Sequence, residues 1–429
     1  MLGVKMKKIG LIAIVVICLI AIAAIFSFIN YQKPGSEVQT KTIKLADDTN
    51  ATAESVNSLV DSLNDFSFNF YQQIKSNEDG NIFFSPYSIF VALSMAYEGA
   101  KGNTASEIQN VLNILQNDST TLGTFGKIYN LLNQNQDGYT ISTANAFWAN
   151  QDYRFLPEYL SLLENFYIAE AYELDFANNA VAAEIINSWI EEQTQDKIKD
   201  MISSDMLSEL TKLVLTNAIY FKGLWANPFN LDNTYETDFE LTSGDTVKVN
   251  MMKSDSENSI FNYTETDDLQ ILELQYSGNN LSMIIVLPKE NNITIAESAI
   301  NANNLANWRN DFFEQEINVE IPRFKFEKKY NLNDLLQEMG IIDAFSPGSA
   351  DFSGMDGTNN LFISKALHQS FIDVNEEGTE AAAATAIIME LTAVPEQKEF
   401  KADHPFVFLI QHKLTGALLF MGKVMNPVE

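Results

Sequence analysis

A single cysteine, Cys18, is present among 429 residues, so no intramolecular disulfide can form and no cysteine cluster can hold a metal ion. The residues before Cys18 lack the small side chains of a lipoprotein processing site, and its thiol reads as one apolar group among many. Histidine is nearly as scarce: His368, His404 and His412 are the only three, and their spacings give no pair of ligands on one helix face. There is no G-x-S-x-G turn, no H-E-x-x-H helix and no glycine loop of the phosphate-binding kind. Positive charge is short as well, with 27 Lys and Arg against 57 Asp and Glu and a formal net charge of −30. A field of that sign repels phosphate backbones and anionic headgroups, which excludes nucleic acid as a partner. The many carboxylates read as solvated faces rather than catalytic pairs. With these absences nothing in the sequence demands an enzyme or a metal.

What is present is apolar bulk: 46% of the chain is hydrophobic, with 29 Phe, enough for one large core or two ordinary ones. Lys5, Lys7 and Lys8 precede an uncharged run over residues 9–29. Those 21 residues would span a bilayer as a helix rising about 1.5 Å per residue, with the basic flank held inside. Residues 1–29 are expected to be a signal anchor or, with Ala21 and Ala23 as a cleavage site, a signal peptide. Either would export the remainder of the chain, to the cell surface or the extracellular space. Residues 30–54 are polar, include Lys33-Pro34-Gly35-Ser36 and read as a tether. Beyond Ala53 no repeat, charge block or low-complexity stretch divides the chain, so residues 55–429 are expected to form one domain.

Hydrophobic periodicity places helices early and strands late. Residues 54–74 carry Val56, Leu59, Val60, Leu63, Phe66 and Phe70 at helical spacing. Ser85-Pro86 opens a second helix, Gly99 to Gly102 closes it, and Thr104 with Glu107 has the spacing of a capping box for a third. Residues 281–287, 406–410 and 417–421 are continuous apolar runs suited to strands covered on both faces. This order, without strict alternation, predicts an α+β fold.

The most unusual stretch is residues 376–394. It opens with Glu376, Glu377, Gly378, Thr379, Glu380, Ala381, Ala382, Ala383, Ala384 and Thr385, and runs on through Leu391, Thr392 and Ala393 to Pro395. Side chains alternate between the faces of a strand. One parity gives Thr379, Ala381, Ala383, Thr385, Ile387, Met389 and Leu391, all uncharged, while Glu380 and Glu390 fall on the other. The segment can therefore join a sheet without burying charge. Alanine and glutamate nevertheless favour helix or coil, and composition alone also allows a surface helix. A segment able to become a strand but not committed to it suits a metastable switch.

At this point the chain resembles the serpins. Residues 376–385 (EEGTEAAAAT) are similar to the proximal hinge of inhibitory members. NIFFSPYSI (81–89), AYEGAKGNT (96–104), LTNAIYFKGLWANPF (215–229), IPRFKFEKKYNL (321–332), PFVFLI (405–410) and LLFMGKVMNP (418–427) are similar to other family segments and stand in family order. The resemblance implies helices packed around three β-sheets with an exposed reactive-centre loop. It implies a monomeric suicide substrate whose partner is a serine protease, with which it forms a covalent complex. Counting from Glu376 as in the family places the cut at Thr392–Ala393, with Leu391–Thr392 as the alternative. No Lys or Arg occurs over 376–397, which points to elastase-, chymotrypsin- or subtilisin-like targets. Ser85, Ser88, Asn217 and His368 match the family's shutter, expected to be a hydrogen-bond latch rather than a hydrolase site. Trp225, Arg323 and Glu376 match its breach. The competing expectation is a non-inhibitory serpin acting as a carrier, chaperone or structural protein.

Overall fold

The first helix, α1 (Ala53–Asn77), begins where the Thr52 hydroxyl accepts the Ser55 N–H and the Ser55 hydroxyl accepts the Thr52 N–H, a reciprocal cap. Its periodic residues Leu59, Val60, Leu63, Phe66 and Phe70 are all buried. The computed structural model describes residues 44–114, 118–133, 138–255, 259–379 and 398–429. The chain divides into Met1–Lys44 and Leu45–Glu429. The proposed anchor at 9–29 and the bait residues 380–397 lie outside the described residues. Among the described residues no helix is long and apolar enough to cross a membrane.

Residues 45–50, read from sequence as the end of a tether, belong to the folded unit. They lie on helix α4, the fourth after α1, α2 (Pro86–Gly99) and α3 (Gly102–Leu112), which spans Ser119–Asn133. Asn130 holds Ala46 by both its N–H and its carbonyl. Gly123 and Gly126 let the strap approach: a Cβ there would stand 2.0 Å from the Thr49 carbonyl oxygen and 2.2 Å from that of Asp47.

Helix α2 starts as its sequence predicts, with Ser85 as N-cap and Pro86 at the first helical position. Helix α3 does not. Its N-cap is Lys101, without a side-chain bond, and Thr104 lies inside the helix. Both halves of the expected capping box are used elsewhere. The Thr104 hydroxyl accepts the Asp351 N–H, and the Glu107 carboxylate takes the N–H groups of Ile342 and Asp343.

The strands in chain order are β1 (Ile82–Phe84), β2 (Tyr139–Asn150), β3 (Glu170–Leu174), β4 (Leu213–Leu224), β5 (Tyr235–Glu240) and β6 (Thr246–Lys253). There follow β7 (Ile260–Glu265), β8 (Leu269–Gln275), β9 (Leu281–Pro288), β10 (Phe313–Pro322) and β11 (Phe324–Asn331). The last are β12 (Ile363–Asn375), β13 (Gly378–Thr379), β14 (Lys398–Lys401), β15 (Phe406–His412) and β16 (Leu418–Val424). A six-stranded sheet runs β11-β12-β13-β4-β2-β3, and a ten-stranded one runs β1-β16-β15-β9-β8-β7-β10-β6-β5 with β14 added on β10. The resemblance implied three sheets. Two of them are joined here because β10 pairs with β7 near Phe313 and with β6 and β14 towards Pro322. The apolar runs form β9, β15 and β16, buried along their whole lengths.

Candidate functional site

The centre of the six-stranded sheet is a parallel pair. β12 lies beside β4 from Ile363 opposite Leu213 to Phe371 opposite Tyr220. Above that point the two strands part and β13 stands between them. Thr379 faces Val374 on one side and Gly223 on the other, and Gly378 faces Asn375 and Leu224, antiparallel to both neighbours. Gly378 is required sterically, since a Cβ would stand 2.0 Å from the Gly223 carbonyl oxygen. Thr379 is buried, and its hydroxyl meets the Tyr276 hydroxyl at 2.8 Å. It is the described member of the uncharged parity. Glu380 to Thr385, and the two alternative cut positions at Leu391, Thr392 and Ala393, fall outside the described residues.

The turn that sends β12 back into the gap is fastened at several atoms. Glu376 is 6% exposed. Its Oε1 accepts Arg323 Nε at 2.8 Å, Arg323 Nη2 at 2.5 Å and the Thr234 hydroxyl at 2.5 Å. Arg323 stays partly open to solvent. Trp225 donates its indole N–H to the Asn375 carbonyl at 3.0 Å and its backbone N–H to that of Glu377 at 2.8 Å. The Phe229 N–H closes on the Glu376 carbonyl at 2.8 Å. Glu377 Oε1 is buried and has no hydrogen-bond partner among the described residues. Trp225, Arg323 and Glu376, expected together, are together; Thr234 and Tyr276 join them, and the sequence carried no spacing that marked either.

Lower down, where β12 and β4 touch, lies a buried polar chain. Register places His368 beside Asn217 and Asn217 beside Asn145 of β2. His368 Nε2 accepts the Ser85 N–H at 3.1 Å, so the ring proton sits on Nδ1 and is donated to Asn217 Oδ1 at 2.5 Å. The Asn217 amide donates to Ser88 Oγ at 2.6 Å and to Asn145 Oδ1 at 2.5 Å. Ser88 Oγ in turn donates to Asn145 Oδ1 at 3.2 Å. Complete burial depresses the His368 pKa to about 3, so the ring is neutral and each nitrogen has its partner. The Ser85 hydroxyl donates to the Leu419 carbonyl at 2.6 Å rather than to the imidazole. The cluster therefore has no activated nucleophile and ties the start of α2 to four strands, β2, β4, β12 and β16. Asn145 is its one unforeseen member. An Asn between Ala144 and Ala146 in mid-strand, where Asn is disfavoured, was the available signal. Among the described residues no group of three or more His, Cys, Asp or Glu is placed to hold a metal ion.

Comparison with known proteins agrees with this geometry. The family model described as serpin (serine protease inhibitor) matches residues 61–427. An uncharacterized serpin-like protein of Thermococcus kodakarensis is 43% identical over 376 residues, 86% of either chain. The leukocyte elastase inhibitor of Xenopus tropicalis is 38% identical, over 84% of this chain and 97% of its own. Among solved structures, human thyroxine-binding globulin complexed with thyroxine superposes with a TM-score of 0.80. It is 31% identical and covers 87% of this chain and 100% of its own.

Proposed function

The chain belongs to the serpin family, and from that premise we propose that it inhibits serine proteases as a substrate consumed in the act. The observation that carries the reading is β13: Gly378 and Thr379 already occupy the gap between β12 and β4, with Thr379, the described member of the uncharged parity, buried there. In the proposed reaction the protease serine adds to the carbonyl of Thr392, or of Leu391 in the alternative. The peptide bond breaks, the downstream amine leaves, and the upstream residue stays as an acyl ester. The freed strand then extends β13 down the sheet. From Thr379 to Thr392 it would cover about 43 Å at roughly 3.3 Å per residue, carrying the esterified protease along. Burying Ile387, Met389 and Leu391 contributes on the order of 5–9 kcal/mol. That is comparable with the ~5–15 kcal/mol holding a typical protease domain together.

The absence of Lys and Arg over 376–397 favours targets with apolar specificity pockets, of the elastase, chymotrypsin or subtilisin type. The run over 9–29 supports export to the cell surface or the extracellular space, tethered through that segment or released from it, and the inhibitor would act as a monomer. A carrier role is the second reading, favoured by the likeness to thyroxine-binding globulin. Incubating the protein with elastase- and subtilisin-type proteases separates the two. A complex that survives denaturing electrophoresis supports inhibition, and clean loop cleavage with full protease activity would overturn it. Replacing Thr379→Arg places a charge where a hydroxyl is buried. It should convert the inhibitor into a substrate, raising the amount needed per protease at least tenfold.

A further inference from the structure

We propose that Tyr276 is the positioning residue of strand insertion, a fixed post whose hydroxyl receives the first inserted side chain and sets the register of the later ones. The inference rests on the inhibitor reading above and names how the same site is controlled. Tyr276 directly follows β8 of the ten-stranded sheet, and its backbone bridges to Trp225, just past β4, so that it reaches the gap in the six-stranded sheet. Its ring is fully buried. It stacks on Trp225 at 4.6 Å and 18°, and meets Phe221 edge-on at 5.1 Å and 87°. Its backbone is held by Tyr276 N–H to Leu281 O at 3.0 Å and by Asn279 N–H to Tyr276 O at 3.1 Å. Gly223 makes room for the ring, since a Cβ there would stand 2.7 Å from it. So confined, the phenol oxygen is its one polar atom, and Thr379 Oγ1 is the partner it meets, at 2.8 Å.

A buried hydroxyl without a partner is costly, which turns this contact into a register mark. Sliding the strand one residue either way would set Gly378 or Glu380 over the phenol. Glycine offers no side-chain partner, and glutamate brings a carboxylate into an apolar gap. With Thr379 on the post, the rest of the inward parity is Ala381, Ala383, Thr385, Ile387, Met389 and Leu391, free of charge throughout. Insertion competes with hydrolysis of the acyl ester, so a strand that starts in the wrong register or starts late is lost as ordinary substrate.

The test uses the full-length chain as wild type, Tyr276→Phe, Thr379→Val, Thr379→Ser and the Phe/Val double variant. Hydrogen exchange at the Gly378 and Thr379 amides reads docking directly, and the stoichiometry of inhibition against a subtilisin-type protease reads its consequence. Phe and Val each keep shape and remove one hydroxyl. Each should speed exchange there about 3- to 10-fold and raise the stoichiometry by a similar factor, with association no slower. The double variant should do no more than either alone, and Thr379→Ser should behave as wild type. Additive effects, or exchange unmoved by Tyr276→Phe, would overturn the proposal. A wild type that forms no covalent complex would instead sink the inhibitor reading, while the exchange comparison would still decide the docking role.

Discussion

His368 shows how far one buried residue can be read before and after folding. The sequence offered a histidine ten residues ahead of Gly378 and a family pattern containing it. The structure adds the proton's position, on Nδ1, and the fifth member of the chain, Asn145, which no motif included. Side-chain partners across strands depend on register, and register is a property of the assembled sheet rather than of any one segment. The consequence can be measured. An unfolded histidine titrates near 6.5 while the folded one is held at about 3 by burial, so between those values only the unfolded chain takes up the proton. Its contribution to stability is complete above 6.5 and is lost as pH falls towards 3, with a limiting slope of about 1.4 kcal/mol per pH unit. In urea titrations, His368→Asn should be less stable than wild type at pH 7, and the gap should narrow steadily from pH 6.5 to 4. Parallel curves would contradict the assignment.

At the scale of elements, β9, β15 and β16 were plain in the sequence because apolar runs covered on both faces need no partner to be recognised. Helix α3 was misplaced because a capping box is only a spacing, and Thr104 and Glu107 found better partners across the fold. Strand β14 was not foreseen at all: four residues that pair, among the described residues, with β10. Its base is secured by His404. The ring's Nδ1 lies 2.9 Å from Asp403 Oδ1 and its Nε2 lies 2.7 Å from the Pro288 carbonyl, and both of these groups only accept. Burial opposes a charge on this ring. The bond to Asp403, the bond to Pro288 and the field of Glu240 outweigh it and raise the pKa above the ordinary value. Lys401 shares Asp403 at 3.3 Å. Because the folded pKa is raised, the clamp is complete below about 6.5 and is released as pH climbs through the folded value. Intrinsically corrected hydrogen exchange over Lys398–Lys401 should therefore accelerate above neutrality in wild type. It should stay nearly flat with pH in His404→Gln, and identical profiles would refute the clamp.

For the whole molecule, family order and parity together made the architecture legible, since each motif named a segment that had to meet the others. What they did not contain was how far the central sheet had already parted. That depends on Arg323, Thr234, Trp225 and Tyr276 converging on one turn from separate parts of the chain. Under the proposed inhibitory function, a sheet that holds two residues of a guest strand is not at its lowest free energy while the bait is intact. Cutting the bait within 386–393 with a non-target protease should raise the thermal unfolding midpoint by about 20 °C, on the scale of roughly 2 °C for each kcal/mol in a large domain. An unchanged midpoint in scanning calorimetry would mean that the sheet does not close around the guest.

The strap over α4 has a mechanical consequence. Ala46 is gripped by Asn130, and Asp48 pairs with Lys127 at 3.0 Å, both before the chain reaches α1. A pull applied to the chain at Lys44 is therefore borne first by these bonds and by the backbone seated against Gly123 and Gly126. Tension is taken up on the face of α4 before it reaches α1.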